Sequence, residues 1–484
     1  MCGIVAIIGK ESSVLIENAL KKIKHRGLDA TKIIANELIT FGFNRLAIND
    51  KSEYGHQPFE YGNLIGVFNA EIYNSEELKN EFGLSTISKS DTELILPLFE
   101  KLGKSVIHYL DGFYSGIIFN KVSKQLFVMR DYIGKKPLFY VKSNNFDFIV
   151  SELKAVNQID CFQIIPKGFS EIAGSQIKTI EMHKISKLSK DNLKQVITSA
   201  IEKRIPKEEK QFGVFLSGGL DSSIIASVIS KLADNVTYYT LSDKNSTDIQ
   251  FVKLLSKHLG IEHKLKIVAL PTPIDFPELL NKIVYHTESY NPSIISNGLA
   301  TFLLSKAAFQ NEIKVVISGE GADELFCGYP VSKNINDCFE KRTELIENLH
   351  FTELRRLDLA SMAHTLEVRC PFLDRKVYAA SIDCVLNDLI IHTDNGIRGK
   401  QILREVFRND LPNEIIERNK MSFDVGSGIR KLVVEYLTRN GKIEKENLKD
   451  IWINHFRNNL SNDSYFHSYP TFDSAIDKRG FIHR

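Results

Sequence analysis

The chain has 484 residues, of which 43% are hydrophobic and 25% charged, close to the composition of an average globular protein. This composition excludes a disordered, collagen-like or coiled-coil protein, and at roughly 150 residues per domain the length predicts two or three domains. The 62 basic and 60 acidic residues nearly cancel, so no overall field favours a nucleic acid as partner. No apolar run is long enough to span a bilayer, so we also expect no membrane partner.

Short strands are predicted in the first third of the chain, where β-branched and aromatic runs lie between turns. The runs are Cys2–Ile8, Leu64–Phe68, Phe113–Phe119, Leu126–Met129 and Phe146–Val150. Leucine and isoleucine at helical spacing predict one helix over Thr92–Leu102. This pattern indicates an antiparallel α+β domain, and the polar stretch at residues 170–190 suggests a boundary.

Strands and helices alternate after about residue 190. We predict strands at Phe212–Leu216, Val236–Leu241 and Lys314–Ile317, and helices at Ile224–Leu232 and Val252–Leu259. Such alternation is typical of a doubly wound parallel sheet, in which ligands bind at the carboxyl ends of the strands. The segments that directly follow the strands are therefore candidate binding loops.

The first candidate loop is Phe215–Ser223, with the sequence F-L-S-G-G-L-D-S-S. Two glycines allow the backbone to approach an anion, and the following helix presents unpaired N–H groups to it. No Gly-Lys-Ser/Thr follows, so this is not a Walker A loop. A glycine turn capped by Asp or Ser is the alternative interpretation.

A second loop, Ser318–Glu324, carries three carboxylates in five residues directly after a predicted strand. Carboxylates this close repel one another unless a cation or a basic side chain lies between them. Beside a phosphate-binding loop, this favours a site for Mg2+ and substrate over a solvated acidic loop.

The six cysteines show neither zinc-site nor disulfide spacing, because no two of them form a C-x-x-C pair. With no signal-peptide pattern before Lys10, this predicts a reduced, cytoplasmic chain. Cys2 differs because removal of Met1 would place a free α-amine beside its own thiol. That amine has a pKa of about 7.7–8.0, so it can accept the thiol proton near neutral pH. A cysteine at position 2 is uninformative by itself.

Four further segments indicate what role Cys2 has. They are His25-Arg26-Gly27, Asn44-Arg45-Leu46, Asn69–Asn74 and Asp91-Thr92-Glu93, and their order resembles that of class II glutamine amidotransferases, which have an N-terminal-nucleophile glutaminase domain. The resemblance implies that Arg45 binds the glutamine carboxylate and that Glu71 and Asp91 bind its amino group. It also implies an oxyanion hole made of Asn69 and the Ala70 N–H.

The S-G-G-x-D-S loop resembles that of the ATP pyrophosphatases, which cleave ATP between the α- and β-phosphates. The resemblance implies that Asp221 and Asp323 bind Mg2+. The residues it implies for ATP are Leu216, Ser217, Gly218, Gly219, Asp221, Ser222, Ser318 and Gly319.

Together the two halves resemble the glutamine-hydrolysing asparagine synthetases over residues 2–430. Additional matching segments are Asp131–Tyr140, Ser151–Ala155, Glu367–Asp374 and Arg418–Lys420. The resemblance implies an αββα glutaminase domain at 2–185, a doubly wound ATP pyrophosphatase domain at 190–440 and a tail of unclear structure at 441–484.

In that family, ammonia released from glutamine travels an internal tunnel to a second site, where ATP adenylates the side chain of aspartate and ammonia displaces AMP. By position, Glu320 matches the general base for the ammonia, and Lys420 matches a lysine that stabilises developing charge. A structural salt bridge is the alternative role for Lys420. The expected partners are glutamine, ATP, and aspartate or another carboxylate, while a homodimer is left open.

Three positions depart from the family pattern. Leu28 replaces the proline of H-R-G-P-D, which we expect to be tolerated. Ala70 replaces the glycine of N-G-E, which would cost about 1–2 kcal/mol if that position has a positive φ. After Glu288-Ser289-Tyr290, many members carry a threonine pair and an arginine, whereas here the next arginine is Arg342.

Because aspartate brings a second carboxylate that favours a fixed cation, the missing arginine leaves other acceptors open. A sugar acid, a biosynthetic intermediate or an internal ring closure would use the same mechanism. An RNA-thiolating enzyme should show catalytic cysteines near the loop and a basic surface, and neither is evident. A non-catalytic binding protein would not need Cys2.

Overall fold

The computed structural model describes residues 2–9, 13–143, 146–243, 246–329, 334–394, 396–439, 442–443 and 445–456. The chain divides into two compact units: within the described residues the first comprises 2–184 together with 453–456, and the second comprises 185–452. Each unit is built on its own sheets. Within the described residues, no helix combines the length and the apolar character needed to cross a membrane.

The first unit contains twelve strands and three α-helices within its described residues. The strands are β1 (Gly3–Ile8), β2 (Ala30–Ala35), β3 (Ile39–Arg45), β4 (Phe59–Tyr61), β5 (Leu64–Ile72), β6 (Gly112–Asn120), β7 (Leu126–Arg130), β8 (Phe139–Ser143), β9 (Phe146–Val150), β10 (Cys161–Ile164), β11 (Gly168–Ala173) and β12 (Gln176–Glu181). The helices are α1 (Ser13–Lys22), α2 (Ser75–Phe82) and α3 (Ile95–Leu102).

These strands form two six-stranded antiparallel sheets, in the orders β10-β8-β9-β1-β3-β2 and β12-β11-β7-β6-β5-β4. Helix α1 packs on β1 and β3 of the first sheet, α3 packs on β4 and β5 of the second, and β1 contacts β5 between the sheets. The result is the predicted αββα order of layers. The central strands are buried on both faces, because each sheet is covered by helices on one side and by the other sheet on the other side.

Two sequence predictions differ from this unit in detail. The helix begins at Ile95, because Thr92 belongs to the turn before it. The polar segment 170–190 contains the division between the two units after Lys184, but its first part forms the end of β11 and all of β12 of the second sheet. Strand β12 lies at the sheet edge and is only partly buried, so it lacks the apolar alternation that identifies a strand.

The second unit is built on a five-stranded sheet in the order β15-β14-β13-β16-β17, with every neighbouring pair parallel. Its strands are β13 (Phe212–Phe215), β14 (Val236–Leu241), β15 (Leu265–Val268), β16 (Val315–Ile317) and β17 (Glu367–Arg369). Two short antiparallel pairs lie outside this sheet: β18 (Ile390–Thr393) with β19 (Gly396–Gly399), and β20 (Thr438–Arg439) with β21 (Lys442–Ile443).

The helices that follow are α4 (Leu193–Glu202), α5 (Leu220–Leu232), α6 (Ile249–Leu259), α7 (Phe276–Thr287), α8 (Pro292–Phe309), α9 (Ala322–Leu325), α10 (Ile335–Asn348), α11 (Glu353–Met362), α12 (Arg375–Asp383), α13 (Leu386–Leu389), α14 (Gln401–Val406), α15 (Asn413–Ile416), α16 (Phe423–Gly426), α17 (Ile429–Leu437) and α18 (Lys445–Phe456). Of the predicted tail, residues 457–484 lie outside the described residues.

The strand order determines where a ligand can bind. The chain runs outward from β13 through β14 to β15, then returns to place β16 on the other side of β13. The loops after β13 and β16 therefore leave the sheet in opposite directions and open a crevice between them. These loops contain the two segments predicted from the sequence to bind a ligand, 215–223 and 318–324. The prediction of a doubly wound parallel sheet is confirmed.

Candidate active sites

Cys2 lies just before β1, where it is buried and held by backbone contacts. Its backbone N–H donates to Asn69 Oδ1 at 2.9 Å, and its carbonyl accepts from Arg26 Nε at 3.1 Å. The N–H of Leu46 points at the Cys2 thiol, with 3.5 Å between nitrogen and Sγ. Two contacts thus fix the backbone of Cys2 and a third fixes its thiol, which lies against the residue that follows β3.

Asn69 and Ala70, the residues predicted for the oxyanion hole, lie beside this thiol on β5. Asn69 is fully buried, and with its Oδ1 on Cys2 its Nδ2 has no hydrogen-bond partner among the described residues. A buried amide N–H without an acceptor costs about 1–3 kcal/mol. A ligand oxygen beside Cys2 would satisfy it.

The backbone of Ala70 is also oriented for this role. Its partner in the β5–β6 register is Tyr114, and both backbone groups of Tyr114 bond to Asp131, on the side away from β5. Ala70 and Tyr114 therefore form a non-hydrogen-bonded pair, and the Ala70 N–H points away from β6. Ala70 is not among the residues with positive φ, so the strain considered for alanine at this position does not arise.

A buried ionic cluster lies behind Cys2. Glu152, from the Ser151–Ala155 segment, accepts from Arg26 Nη1 at 2.7 Å, from His25 Nε2 at 3.1 Å and from Lys154. Arg26 and Glu152 are fully buried. Burial acts to raise the pKa of Glu152, but its basic neighbours Lys154, His25 and Arg26 outweigh it and hold that pKa well below its ordinary value. The carboxylate therefore stays charged and orients the guanidinium that holds the Cys2 carbonyl.

The residues predicted to bind the glutamine zwitterion form two groups. Arg45 is buried and donates to the backbone carbonyls of Ser52 and Asp50. Glu71 and Asp91 approach each other through Asn49, whose Nδ2 donates to Glu71 Oε1 at 3.2 Å and to Asp91 Oδ1 at 3.0 Å. The site therefore offers a cation and a pair of carboxylates, as a zwitterionic ligand requires. Sequence reasoning missed Asn49, because an isolated asparagine in a loop carries no signal.

In the second unit, the predicted phosphate loop connects β13 directly to α5. Gly218 has φ of +68°, and a Cβ there would lie 3.0 Å from the backbone nitrogen of Val252. Arg418 holds this turn, because its Nη1 donates to the Gly218 carbonyl at 2.8 Å and its Nη2 pairs with Asp248. Gly319 packs on the same loop, where a Cβ would meet the Cβ of Asp221 at 2.9 Å. Gly319 thus lets the loop after β16 touch the loop after β13, and Gly218 lets the loop after β13 approach the start of α6.

Two lysines neutralise the carboxylates between these loops. Lys400 contacts both Asp221 and Asp323, and Lys420 donates to Asp323 Oδ2 at 2.6 Å. Burial acts to raise the pKa of Asp323, but the two lysines outweigh it and lower that pKa to about 2. Burial and Asp323 raise the pKa of Asp221. Lys420 therefore forms a salt bridge, which was the alternative role predicted for it from the sequence. This salt bridge lies inside the predicted site.

Glu320 occupies a different part of the loop. It pairs with Arg356, which also binds Glu353 at 2.8 Å and donates to Thr301 Oγ1 at 2.8 Å. Burial raises the pKa of Glu320, with Arg356 acting in the opposite direction. Next to it, Glu324 accepts from the Tyr329 hydroxyl at 2.9 Å. Burial, followed by the neighbouring carboxylates Asp323 and Glu320, raises the pKa of Glu324 to about 8.

The loops surround a cavity of about 410 Å³, which is within the usual range for small-molecule sites. All of the residues predicted for ATP, Mg2+ and catalysis in this unit line it except Gly218. Other lining side chains come from α8, α11, α14, α16 and α17 and from the segments just before α14 and α16. The charged ones are Glu353, Arg356, Lys400, Arg404, Arg418 and Arg430.

Comparison with known proteins identifies both units. Residues 1–204 match the glutamine amidotransferase domain family, and residues 192–347 and 341–451 match the asparagine synthase family. The asparagine synthetase (glutamine-hydrolysing) of Sandersonia aurantiaca is 30% identical over 88% of this chain and 87% of its own length. This chain belongs to the glutamine-hydrolysing asparagine synthetases.

Similar asparagine synthetases occur in distant sources. A probable member from Acanthamoeba polyphaga mimivirus is 29% identical over 98% of this chain and 93% of its own length, and that of Gallus gallus is 29% identical over 88% and 84%. The solved structure of glutamine phosphoribosylpyrophosphate amidotransferase from B. subtilis aligns over 50% of this chain and 67% of its own length at 17% identity, with a TM-score of 0.33.

The carboxylates of this synthetase fit a divalent ion that is shared with a nucleotide. Among the described residues no group of three or more His, Cys, Asp or Glu side chains forms a metal cage. Mg2+ in nucleotide sites is typically held by one or two carboxylates together with substrate phosphates, so a cage is not required. Asp221 and Asp323 already converge on one cation, Lys400, and Asp221 Oδ1 is buried with no hydrogen-bond partner in the part of the chain that the structure describes.

Proposed function

We propose that this protein is a glutamine-dependent asparagine synthetase, which converts aspartate, glutamine, ATP and water to asparagine, glutamate, AMP and pyrophosphate. The proposal rests above all on one chain combining two sites. One is a buried cysteine with an unsatisfied amide beside it, and the other is a charged cavity at the switch point of a parallel sheet. Membership of the family supports both halves.

The first reaction would take place at Cys2 after removal of Met1. The free α-amine accepts the thiol proton, and the thiolate attacks the carboxamide carbon of glutamine. Asn69 Nδ2 and the Ala70 N–H donate to the oxyanion as it forms. The C–N bond then breaks, ammonia leaves with the proton, and water hydrolyses the thioester to glutamate. Arg45, Glu71 and Asp91 bind the carboxylate and the ammonium of the substrate.

The second reaction would take place in the cavity of the other unit. A carboxylate oxygen of aspartate attacks the α-phosphorus of ATP, and the bond to the pyrophosphate oxygen breaks. The N–H groups at the start of α5 and Lys420 stabilise the charge that develops on the phosphates. Asp221 and Asp323 would hold Mg2+, which neutralises phosphate charge when bound.

Amide formation completes the sequence. Ammonia attacks the acyl carbon of the adenylate, the C–O bond breaks, and AMP leaves with an oxygen of the original carboxylate. Glu320 takes the proton that the attacking nitrogen loses. The raised pKa of Glu320 supports this role, since a base with a very low pKa would be a poor proton acceptor.

Aspartate is favoured as the acceptor because the relatives reported above are named for asparagine synthesis. The other carboxylates that the sequence left open have no such support. We also propose a cytoplasmic location, since a thiol nucleophile has to remain reduced. A homodimer has no support here and is not part of the proposal.

Product analysis tests this function. The purified enzyme is incubated with glutamine, ATP and Mg2+, together with aspartate or with each of a panel of other carboxylic acids. We expect asparagine, AMP and pyrophosphate in equal amounts with aspartate, and little AMP with the other acids. AMP release without asparagine would assign the second unit to another acceptor, and ADP as the spent nucleotide would exclude adenylation.

A further inference from the structure

Arg430 lines the cavity of the second unit, although no motif identified it. It lies at the start of α17, which packs on α8. Its Nε donates to Asp424 Oδ2 at 2.7 Å and its Nη2 to Asp424 Oδ1 at 3.0 Å. Asp424 is fully buried and does not line the cavity, and it also accepts from Ser296 Oγ of α8 at 2.7 Å. The guanidinium plane is therefore fixed from behind by a bidentate ion pair.

The other cationic side chains of the cavity wall each bind carboxylates or backbone carbonyls of the protein. Lys400 and Lys420 lie on the carboxylates of the metal and phosphate end. Arg418 holds the turn at Gly218, and Arg404 donates to backbone carbonyls.

Arg356 differs from Arg430 in the location of its counter-ions. Arg356 binds Glu320 and Glu353, which both belong to the cavity wall, so its charge is neutralised within the cavity. Arg430 is paired with a carboxylate behind the wall, and its side chain is 16% exposed. A guanidinium has five N–H donors, so it can bind a carboxylate in the cavity while its Nε edge remains on Asp424.

The neighbouring wall is suited to an amino acid. Ser293, Asn297 and Thr301 follow one another at intervals of four residues along α8, so they form one polar stripe, and all three line the cavity. Ser296, which binds Asp424, belongs to the same helix. This is also the segment in which the sequence lacked the expected arginine, and α17 brings Arg430 to it from elsewhere in the chain.

We propose that Arg430, oriented by Asp424 and Ser296, binds the α-carboxylate of the amino-acid acceptor and so makes the second unit select aspartate over carboxylic acids that lack this group. The inference rests on the proposed function, because it assumes aspartate as the acceptor. It explains how the site provides a fixed cation for the second carboxylate although α8 carries no arginine.

Ammonia-dependent synthesis by the full-length enzyme tests this role without involving the first unit. In Arg430→Gln we expect the KM for aspartate to rise about 30-fold or more, because a charged partner of the carboxylate is lost. The KM for ATP should stay within about twofold and kcat within about threefold of wild type. Arg430→Lys should recover only part of the loss, since an ammonium cannot bind a carboxylate through two parallel N–H bonds.

A second acceptor provides the discriminating measurement. β-Alanine is aspartate without the α-carboxylate, so Arg430→Gln should lower kcat/KM for aspartate but leave that for β-alanine unchanged. Lys431→Gln is the matched control, because Lys431 is the next residue on α17 and is exposed, with a 3.8 Å contact to Glu435. It should behave as wild type with both acceptors.

The outcomes separate the inference from the function it rests on. Asparagine synthesis by the wild type, with an unaltered KM for aspartate in Arg430→Gln, would overturn the role of Arg430 alone. An equal rise in the KM values of aspartate and ATP, or an equal loss with β-alanine, would show a structural role and would also overturn it. Absence of asparagine from the wild-type reaction would overturn both proposals.

Discussion

The two candidate sites differ in how they use charge. The Cys2 thiol accepts from the backbone N–H of Leu46 and lies beside the neutral Asn69 amide, while Arg26, which is paired with the buried Glu152, donates to the Cys2 backbone carbonyl. In the second unit, acidic and basic side chains line the cavity itself. A carboxamide is neutral and develops one oxyanion, whereas ATP brings several negative charges that have to be neutralised during the reaction. The contrast therefore follows from the chemistry proposed for each unit.

The contrast also predicts that a substitution can abolish the activity of one site and leave the activity of the other unchanged. The sites lie in separate units with separate sheets, and the residues proposed for each reaction come from one unit only. Glutamine hydrolysis and ammonia-dependent synthesis can be measured independently, so each variant below is assigned to a unit by the activity that it loses.

The largest expected effect is that of Cys2→Ala. Glutamine hydrolysis and glutamine-dependent synthesis should fall by about 10⁴-fold or more, because the nucleophile is removed. Asparagine formation from ammonium should remain within about twofold of wild type. Loss of both activities in a folded variant would contradict the division between the units.

The reciprocal variant is Lys420→Gln. Synthesis with either nitrogen source should fall by about 10²–10³-fold, because one preorganised charge is lost from the phosphate site. Glutamine hydrolysis should continue at the wild-type rate and also serves as the control for folding. A variant that keeps synthesis within about threefold of wild type would leave Lys420 with only a structural role.

Glu152→Gln tests whether the buried cluster positions Cys2. Arg26, Lys154 and His25 would lose their shared carboxylate, and removing one partner of a buried ion pair costs about 3–5 kcal/mol of stability. We expect about a 10-fold lower kcat for glutamine hydrolysis and a lower Tm, with ammonia-dependent synthesis unchanged. Glu152→Asp, which keeps the charge, should recover part of both losses. Lower stability with unaltered hydrolysis in the folded fraction would limit Glu152 to a structural role.

The smallest effect is expected for Ala70→Gly, which restores the residue typical of the family. Ala70 lies in the regular strand β5 with a negative φ, so its N–H is already oriented and no strain is relieved. Glutamine kcat/KM should change by less than about twofold, and glycine in a strand should lower stability by roughly 0.5–1 kcal/mol. A gain of 10-fold in kcat/KM would show that alanine impairs the oxyanion hole.

Much of both sites could be predicted from the sequence because their residues lie in short contiguous segments. The loop 215–223 and the segment 318–324 each follow a strand directly, so their placement required only the rule for parallel sheets. In the first unit, the roles of Arg45, Asn69 and Asp91 came from the resemblance of ordered segments. The structure adds the unpartnered Asn69 amide and the orientation of the Ala70 N–H, which depends on the β5–β6 register.

The residues that sequence reasoning missed act through contacts between distant segments. Arg26 and Glu152 belong to two separate motifs, and nothing in either motif shows that they pair. Arg430 and Asp424 come from one short region, but their contact with Ser296 depends on how α17 packs on α8. An arginine was expected within the α8 segment itself, so the ungapped comparison of sequences could not find one supplied from another helix.

One double-label experiment tests the central claim, that the first unit supplies nitrogen and the second activates the acceptor by adenylation. The wild-type enzyme is given glutamine labelled with nitrogen-15 in its amide, and aspartate labelled with oxygen-18 in its side-chain carboxylate. The account predicts nitrogen-15 in the asparagine amide and one oxygen-18 in each AMP formed. Oxygen-18 in inorganic phosphate together with ADP, or asparagine without nitrogen-15, would contradict it.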